Sequence, residues 1–493
     1  MIKALAVLLV LACTIASADE PSKSLPRSSP ELEGVSSTAI LDFVQTADRE
    51  SESLHSMILV RHGKVVAEGW WAPYDPDSRH ELYSLSKSFT STAVGLAIAE
   101  GKLSLDDQVS TFFPDDMPAE PSSQLKAMRI RDLLTMSTGH TSEPKFGKSD
   151  TWTKTFLGHT VTHKPGTFFM YNTPATYMLS AIVQKQTGSS TLEYLKPRLF
   201  EPLGIEDPTW GTSPQGISLG GYGLSVRTED IAKFGQLYLN QGKWGDRQLV
   251  PAEWIAAATS RQVSNGSNPA SDWEQGYGYQ FWRCRHGHYR GDGAFGQYCI
   301  VMPEQDAVLA ITSGTKDMGA VLKLVWDKLL PGMKEQPLEP NQLSEQKLRE
   351  ALAKLTVPTQ SGEASSATFS SIDKKRFSFT KNDRELEGVS LEKSSDGNFI
   401  LVTQTGGSEH RIACGDKTWV KGKSRFGSYP EQAIAACGAW TSESEYTAKL
   451  CLYETPFCLT TRLQFKGDEI IVNVESNVGF GPIKWPELVG SVK

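Results

Sequence analysis

The stretch ELYSLSKSFTSTAVGLAIAEGKL, Glu81–Leu103, decides how this chain is read. It opens on a polar Ser84-x-x-Lys87 and passes straight into small, apolar residues that end at Gly101. That pattern predicts a helix over 84–101, closed by the glycine. Ser84 in its first turn meets free backbone N–H groups and the positive end of the helix dipole, both of which favour negative charge. Lys87, three residues on, projects from the same face. A nearby ammonium lowers the cost of a serine alkoxide or a tyrosine phenolate, and a serine hydroxyl is inert at neutral pH without such help. Spacing alone decides little, because a helix-capping serine beside a solvated lysine looks the same. The same pattern recurs at Ser123, Ser142, Ser313, Ser344, Ser371, Ser378 and Ser390.

Nucleophilic chemistry needs further groups: a second acid or base and donors for an oxyanion. In PGTFFMYNTPATYMLSAIV, Tyr171 falls in a turn rich in Pro, Gly and Asn just before a helix. Its phenol, placed near Lys87, would lose its proton near neutral pH and serve as the base; as an isolated residue it reads equally as a core aromatic. In YRGDGAFGQYCIVMPE, Gly291, Gly293 and Gly296 leave the backbone open to close approach. That segment suits an oxyanion strand, or only a glycine-marked bulge.

The wider chain sets the frame. It has 493 residues, with 50 Lys+Arg against 57 Asp+Glu, a formal charge of −7. With no basic block, nothing points to nucleic acid. Residues 1–18 read as a secretory signal peptide: Lys3, an apolar run from Ala4 to Ile15, then Ala16-Ser17-Ala18. A lipid anchor at Cys13 ranks second, because Leu11 is uncommon at that position of a lipobox. No other segment is long and apolar enough to span a bilayer, and with this leader the protein is expected to be exported, periplasmic or secreted. Residues 19–30 read as a tether, 31–334 as an α/β domain with an inserted helical subdomain, 335–366 as a linker, and 367–493 as an all-β barrel or sandwich. The sheet of the first domain is expected from a hairpin at Leu54–Trp71 and strands within Tyr277–Gly314.

Export fits the cysteines. Cys284, Cys299, Cys414, Cys437, Cys451 and Cys458 remain after the leader, and an exported chain would pair them. Sequence neighbours would join as Cys284–Cys299, Cys414–Cys437 and Cys451–Cys458, although spacing leaves the connectivity open. His286 and His288 beside Cys284 raise a zinc alternative. No third spaced ligand accompanies them, so they read as solvated strand residues and no metal is expected.

Taken in order, YSLSKSFTSTAVGLAIAEGKLSLDDQVSTFFP, IRDLLTMSTGH, PGTFFMYNTPATYMLSAIVQKQTG, GGYGLSVRTEDIAKFGQLYLNQGKW and YGYQFW…GAFGQYCIVMPEQDAVLAI resemble the serine β-lactamase and penicillin-binding-protein-like hydrolases. The resemblance covers about residues 31–331. It is nearest the class C and esterase side, with members like 6-aminohexanoate-dimer hydrolase. It implies a β-lactamase-like antiparallel sheet flanked by helices. It implies Ser84 as acylated nucleophile, Lys87 as its support, Tyr171 as general base, and the backbone N–H groups of Ser84 and Ala294 as oxyanion hole. Asn172, Gly291, Asp292 and Gly293 would then line the substrate. Two departures matter. Tyr171-Asn172-Thr173 replaces the usual Tyr-x-Asn, and Gly291-Asp292-Gly293 lacks the cation that holds a substrate carboxylate. An ester or amide hydrolase of small acyl substrates is therefore expected, without cofactor. The alternatives are a D-alanyl peptidase, a weak β-lactamase, or a non-catalytic binding protein on the same fold.

Overall fold

A computed structural model describes residues 24–50 and 54–492. The expected signal peptide, Cys13 and the start of the tether lie outside the described residues. From Ser24 on, the chain lies against the first domain: Leu25 is buried, and Arg27 pairs with Glu68 and Glu229.

In chain order, helix α1 (Ser37–Glu50) precedes strands β1 (Leu54–Arg61) and β2 (Lys64–Trp70). Helices α2 (Ser86–Ala99), α3 (Thr173–Thr187) and α4 (Thr228–Leu239) follow. Strands β3 (Trp282–Arg283), β4 (Tyr289–Gly293), β5 (Gln297–Met302) and β6 (Ala307–Ser313) return before helix α5 (Met318–Leu324). The six strands form one antiparallel sheet in the order β2-β1-β6-β5-β4-β3. The two ends of the domain therefore supply one sheet, and the helical segment between β2 and β3 is the insertion.

Every residue of β1 is buried, as a central strand covered on both faces requires. Alternation then sorts the side chains. Ile58 and Val60 join Phe89 and Ala93 of α2 on one face, while Met57 and Leu59 join Ile40 and Phe43 of α1 on the other. Helix α2 is buried nearly all round, the signature of a helix at the centre of a domain. Gly95 allows this, since a Cβ there would lie 2.4 Å from the Trp254 ring.

The segment expected as a linker is structured. Helix α6 (Gln342–Leu352) packs on α1 and β2, and Ala72 exchanges backbone hydrogen bonds with Leu355 and Val357. Its polar composition hid a single apolar stripe, including Leu348 and Leu352, that has a core to cover.

The C-terminal domain is a ten-stranded antiparallel sheet curled almost into a barrel. Its strands are β7 (Phe377–Ser378), β8 (Leu386–Lys393), β9 (Phe399–Thr405), β10 (Ser408–Cys414), β11 (Val420–Ser424), β12 (Gln432–Ser442), β13 (Glu445–Cys451), β14 (Cys458–Lys466), β15 (Glu469–Ser476) and β16 (Leu488–Val492). Their order is β10-β9-β8-β7-β16-β15-β14-β13-β12-β11. A bridge between Gly415 and Cys437 brings the far edge back toward β10. Inward residues such as Leu401, Leu450, Leu463 and Val472 fill the interior around Trp440.

The cysteine expectation needs correction. Among the described residues no sulfur pair is at bonding distance, and all six cysteines are thiols. Cys284 and Cys299 sit in separate core clusters on opposite faces of the first sheet, so they cannot pair without rebuilding it. The Cys284 sulfur accepts from Arg290 at 3.1 Å, and Cys299 donates to the Ile231 carbonyl at 3.6 Å. Cys437 accepts the Gln360 N–H at 3.3 Å while Cys414 turns to the Ile412 carbonyl at 3.7 Å. Only Cys451 and Cys458, facing each other across β13 and β14, bring their sulfurs to 3.0 Å. His288, expected in solvent, is buried beside Trp326 with ring centroids 5.2 Å apart.

Candidate active site

Ser84 lies in a turn of 3-10 helix, Tyr83–Leu85, that runs directly into α2. The turn is strained at Tyr83, a bulky residue held at φ +46°. Such backbone persists only when its surroundings over-determine it, and it concentrates at functional sites. Lys87, in the first turn of α2, is 1% exposed. Its ammonium donates to Ser84 Oγ at 3.0 Å, to the Gly221 carbonyl at 2.8 Å and to Thr173 Oγ1 at 3.4 Å. It also sits 5.0 Å from the centre of the Tyr171 ring.

Tyr171 arrives from the segment just before α3, which packs on α2. It is stacked on Trp282, with ring centroids 5.4 Å apart, and its phenol is close enough to Ser84 for the two to interact. The next residue, Asn172, caps α3: its Oδ1 accepts the Ala175 N–H at 3.3 Å. Its amide nitrogen meets Thr138 Oγ1 and His140 Nδ1 at 3.4 and 3.2 Å. The expected substrate contact is thus a fully buried anchor that holds Tyr171 at the helix start.

Strand β4 passes close over the Ser84 turn. A Cβ at Gly293 would lie 2.0 Å from the Leu82 carbonyl oxygen and 3.1 Å from the Ser84 nitrogen; one at Gly291 would strike Leu85 and Ser88. No residue with a side chain fits at either place, and this is how Ala294 reaches the cleft beside Ser84. Asp292, between them, points to the opposite face of the sheet, as strand alternation demands. There its carboxylate is paired with buried Arg290 at 2.8 Å. It does not line the cleft, contrary to the expectation for the triplet.

The electrostatics divide the proton unequally. Burial pulls the Lys87 ammonium down to about 7, with Glu143 and Asp292 opposing it. Burial, then the Asp292 charge, raises the Tyr171 phenol well above its ordinary range, with the Ser84 side chain acting the other way. A readily ionised Tyr171 was expected, and the reverse holds: near neutral pH the lysine gives up its proton first. The two groups interact, so their titrations belong to the pair.

Several participants were not legible beforehand. The Gly221 carbonyl anchors Lys87, and a Cβ on that glycine would lie 2.7 Å from Thr173 Cγ2. Gln280, buried and at φ +66°, donates to the Leu133 and Leu134 carbonyls and accepts from Thr176, while its own carbonyl accepts from Ser88. It ties α2, α3 and the 130–134 helix into one unit. Glu143 accepts the Thr173 N–H at 2.6 Å and borders the cleft. The doubled glycine at 220–221 was a weak sequence signal; Gln280 fell in the stretch expected as strand and Glu143 in the helical and loop-rich middle, and nothing singled either out.

The cleft holds about 600 Å³ and is lined by Ser84, Ala294, Glu81, Glu143 and a set of aromatic rings. Among the described residues lining it, none is Lys, Arg or His. Among the described residues, no cluster suited to a metal ion occurs and no helix is long and apolar enough to cross a membrane.

Comparison with known proteins bears on the family and the fold. The family model described as Beta-lactamase matches residues 48–329. The 6-aminohexanoate-dimer hydrolase of Paenarthrobacter ureafaciens is 26% identical over 301 residues, covering 54% of this chain and 74% of that protein. A protein of Escherichia coli (strain K12), provisionally named a D-alanyl-D-alanine carboxypeptidase, is 25% identical over 329 residues, 51% of this chain and 75% of its own. A solved Bacillus anthracis structure, provisionally named a 6-aminohexanoate-dimer hydrolase, superposes with a TM-score of 0.52 at 19% identity, covering 62% of this chain and 87% of that one.

Proposed function

The chain belongs to the beta-lactamase family, whose members of this type are serine hydrolases, and from that premise we propose that it hydrolyses esters or amides of small acyl groups through a Ser84 acyl-enzyme. The observation that carries this reading is the contact of buried Lys87 with Ser84 Oγ at 3.0 Å. Neutral Lys87 takes the serine proton as Oγ bonds to the substrate carbonyl carbon. The oxyanion that forms accepts from the N–H groups of Ser84 and Ala294. As the C–O or C–N bond breaks, the Lys87–Tyr171 pair returns the proton to the leaving group. The same pair then takes a proton from the water that attacks the acyl-enzyme and hands it to Ser84 Oγ as the acyl C–O bond breaks, releasing the acid product and the free serine.

Carboxylate-bearing cell-wall substrates suit the cleft poorly. Glu81 and Glu143 border it, and the triplet at 291–293 offers no cation. An exported location follows from the leader-like residues 1–18. There, the facing thiols of Cys451 and Cys458 would oxidise to a disulfide.

The test is intact mass after exposure to a fluorophosphonate, with Ser84→Ala alongside. One probe mass on the wild type and none on the variant is expected. A well-folded wild type without adduct would replace this reading with that of a binding protein on a hydrolase fold.

A further inference from the structure

Phe480 is a large apolar side chain left 76% exposed, on a loop of the C-terminal domain. It is nonetheless not on an outlying surface. It borders the same cleft as Ser84 and Ala294. Its ring centroid lies 5.6 Å from that of Tyr83 and 4.8 Å from that of Phe295. Tyr83 immediately precedes the nucleophile and Phe295 immediately follows the second oxyanion residue. Phe457, on the turn between β13 and β14, closes the group at 6.5 Å from Tyr83 and 5.8 Å from Phe295.

The loop is held in place by polar contacts to the catalytic domain. Asn477 Nδ2 donates to the Gly314 carbonyl at 3.0 Å and to the Pro456 carbonyl at 2.9 Å, and Asn477 Oδ1 accepts the Cys458 N–H at 2.8 Å. The backbone N–H of Glu81 donates to the Glu454 carbonyl at 2.9 Å. A Cβ on Gly314 would lie 2.4 Å from the Pro456 carbonyl oxygen, so the two domains meet there without room for a side chain. The aromatic group is therefore carried by a fixed junction. An exposed ring in such a cleft gains burial when an apolar ligand covers it.

We propose that the C-terminal domain completes the substrate site, with Phe480, Tyr83 and Phe295 forming a slot beside Ser84 that takes an uncharged, apolar acyl chain. This rests on the serine hydrolase reading and narrows it. The acyl chain lies along the rings while the carbonyl sits between Ser84 and Ala294. The carboxylates of Glu81 and Glu143 at the rim turn away a second negative charge on the substrate.

The experiment compares two fluorophosphonates that differ only in alkyl chain, ethyl against octyl, by the rate at which each adds to Ser84 in the full-length protein. The wild type is expected to favour the octyl probe. In Phe480→Ala the octyl rate should fall about tenfold more than the ethyl rate, as the loss of apolar pocket contacts implies. Phe480→Leu, still apolar, should keep most of the preference. Equal losses on both probes, or the same octyl preference in Phe480→Ala, would overturn the slot while leaving the hydrolase standing. No adduct with either probe on the wild type would remove the hydrolase reading and the slot together.

Discussion

Lys87 Nζ and the Gly221 carbonyl oxygen are 2.8 Å apart, and the lysine is buried. The carbonyl directs the ammonium onto Ser84, and the surrounding apolar helix brings its pKa down to about 7. A lysine in ordinary solvent would be charged at that pH and unable to accept a proton. In the proposed reaction, burial is what lets this lysine serve as a base.

The rate of Ser84 phosphonylation should therefore rise with pH through about 7 and level off above it, because the unprotonated amine is the active form. Lys87→Met should lose on the order of a thousandfold in this rate. Its stability should change in the opposite sense. Between about 7 and 10.5 the unfolded wild type binds the proton that the folded state has released, so wild-type stability climbs with pH there. Chemical denaturation across that range should show the climb in the wild type and a flatter course in Lys87→Met.

His55 Nδ1 and His80 Nε2 lie 3.1 Å apart at the junction of the two domains, both buried. Burial holds His80 down to about 4 and His55 well below its ordinary value. The unfolded chain takes up these protons first, so stability is full above about pH 6.5 and is lost as pH falls toward 4. His80→Gln should remove on the order of 2 kcal/mol of that loss at pH 5, relative to its own value at pH 7.5. Thermal midpoints at the two pH values check this, and equal drops in variant and wild type would contradict it.

Gly293→Ala places a methyl group against the Leu82 carbonyl and the Ser84 nitrogen. Displacing β4 by even a fraction of an ångström misplaces the Ala294 N–H, so phosphonylation should slow by about a hundredfold. Gly422→Ala, where a Cβ meets nothing within 4 Å, is the comparison and should leave the rate unchanged.

Oxidation should join Cys451 to Cys458, whose sulfurs already lie 3.0 Å apart. Alkylation of the unfolded, unreduced protein should spare these two residues, and prior reduction should expose both to peptide mapping. With the bond formed, Cys458→Ser should cost about 2 kcal/mol, as expected for closing so short a loop. Labelling of both without reduction would rule the bond out.

The sequence by itself determined what is local. Ser84 and Lys87 meet because they are three residues apart, on a 3-10 turn and the α-helix it runs into. The hairpin of β1 and β2, the α4 helix and the alternating strands of the C-terminal domain follow from short-range apolar periods. Even the separation of Asp292 from Gly291 and Gly293 is inherent in a strand's twofold alternation. Which face of β4 meets α2 is not, because that depends on how distant elements pack. The same holds for Tyr171, Gly221, Gln280 and Phe480, brought around the start of α2 from positions up to 396 residues beyond Ser84. The Lys87 pKa belongs with them. Desolvation is a property of the whole surrounding volume, and no window of sequence contains it.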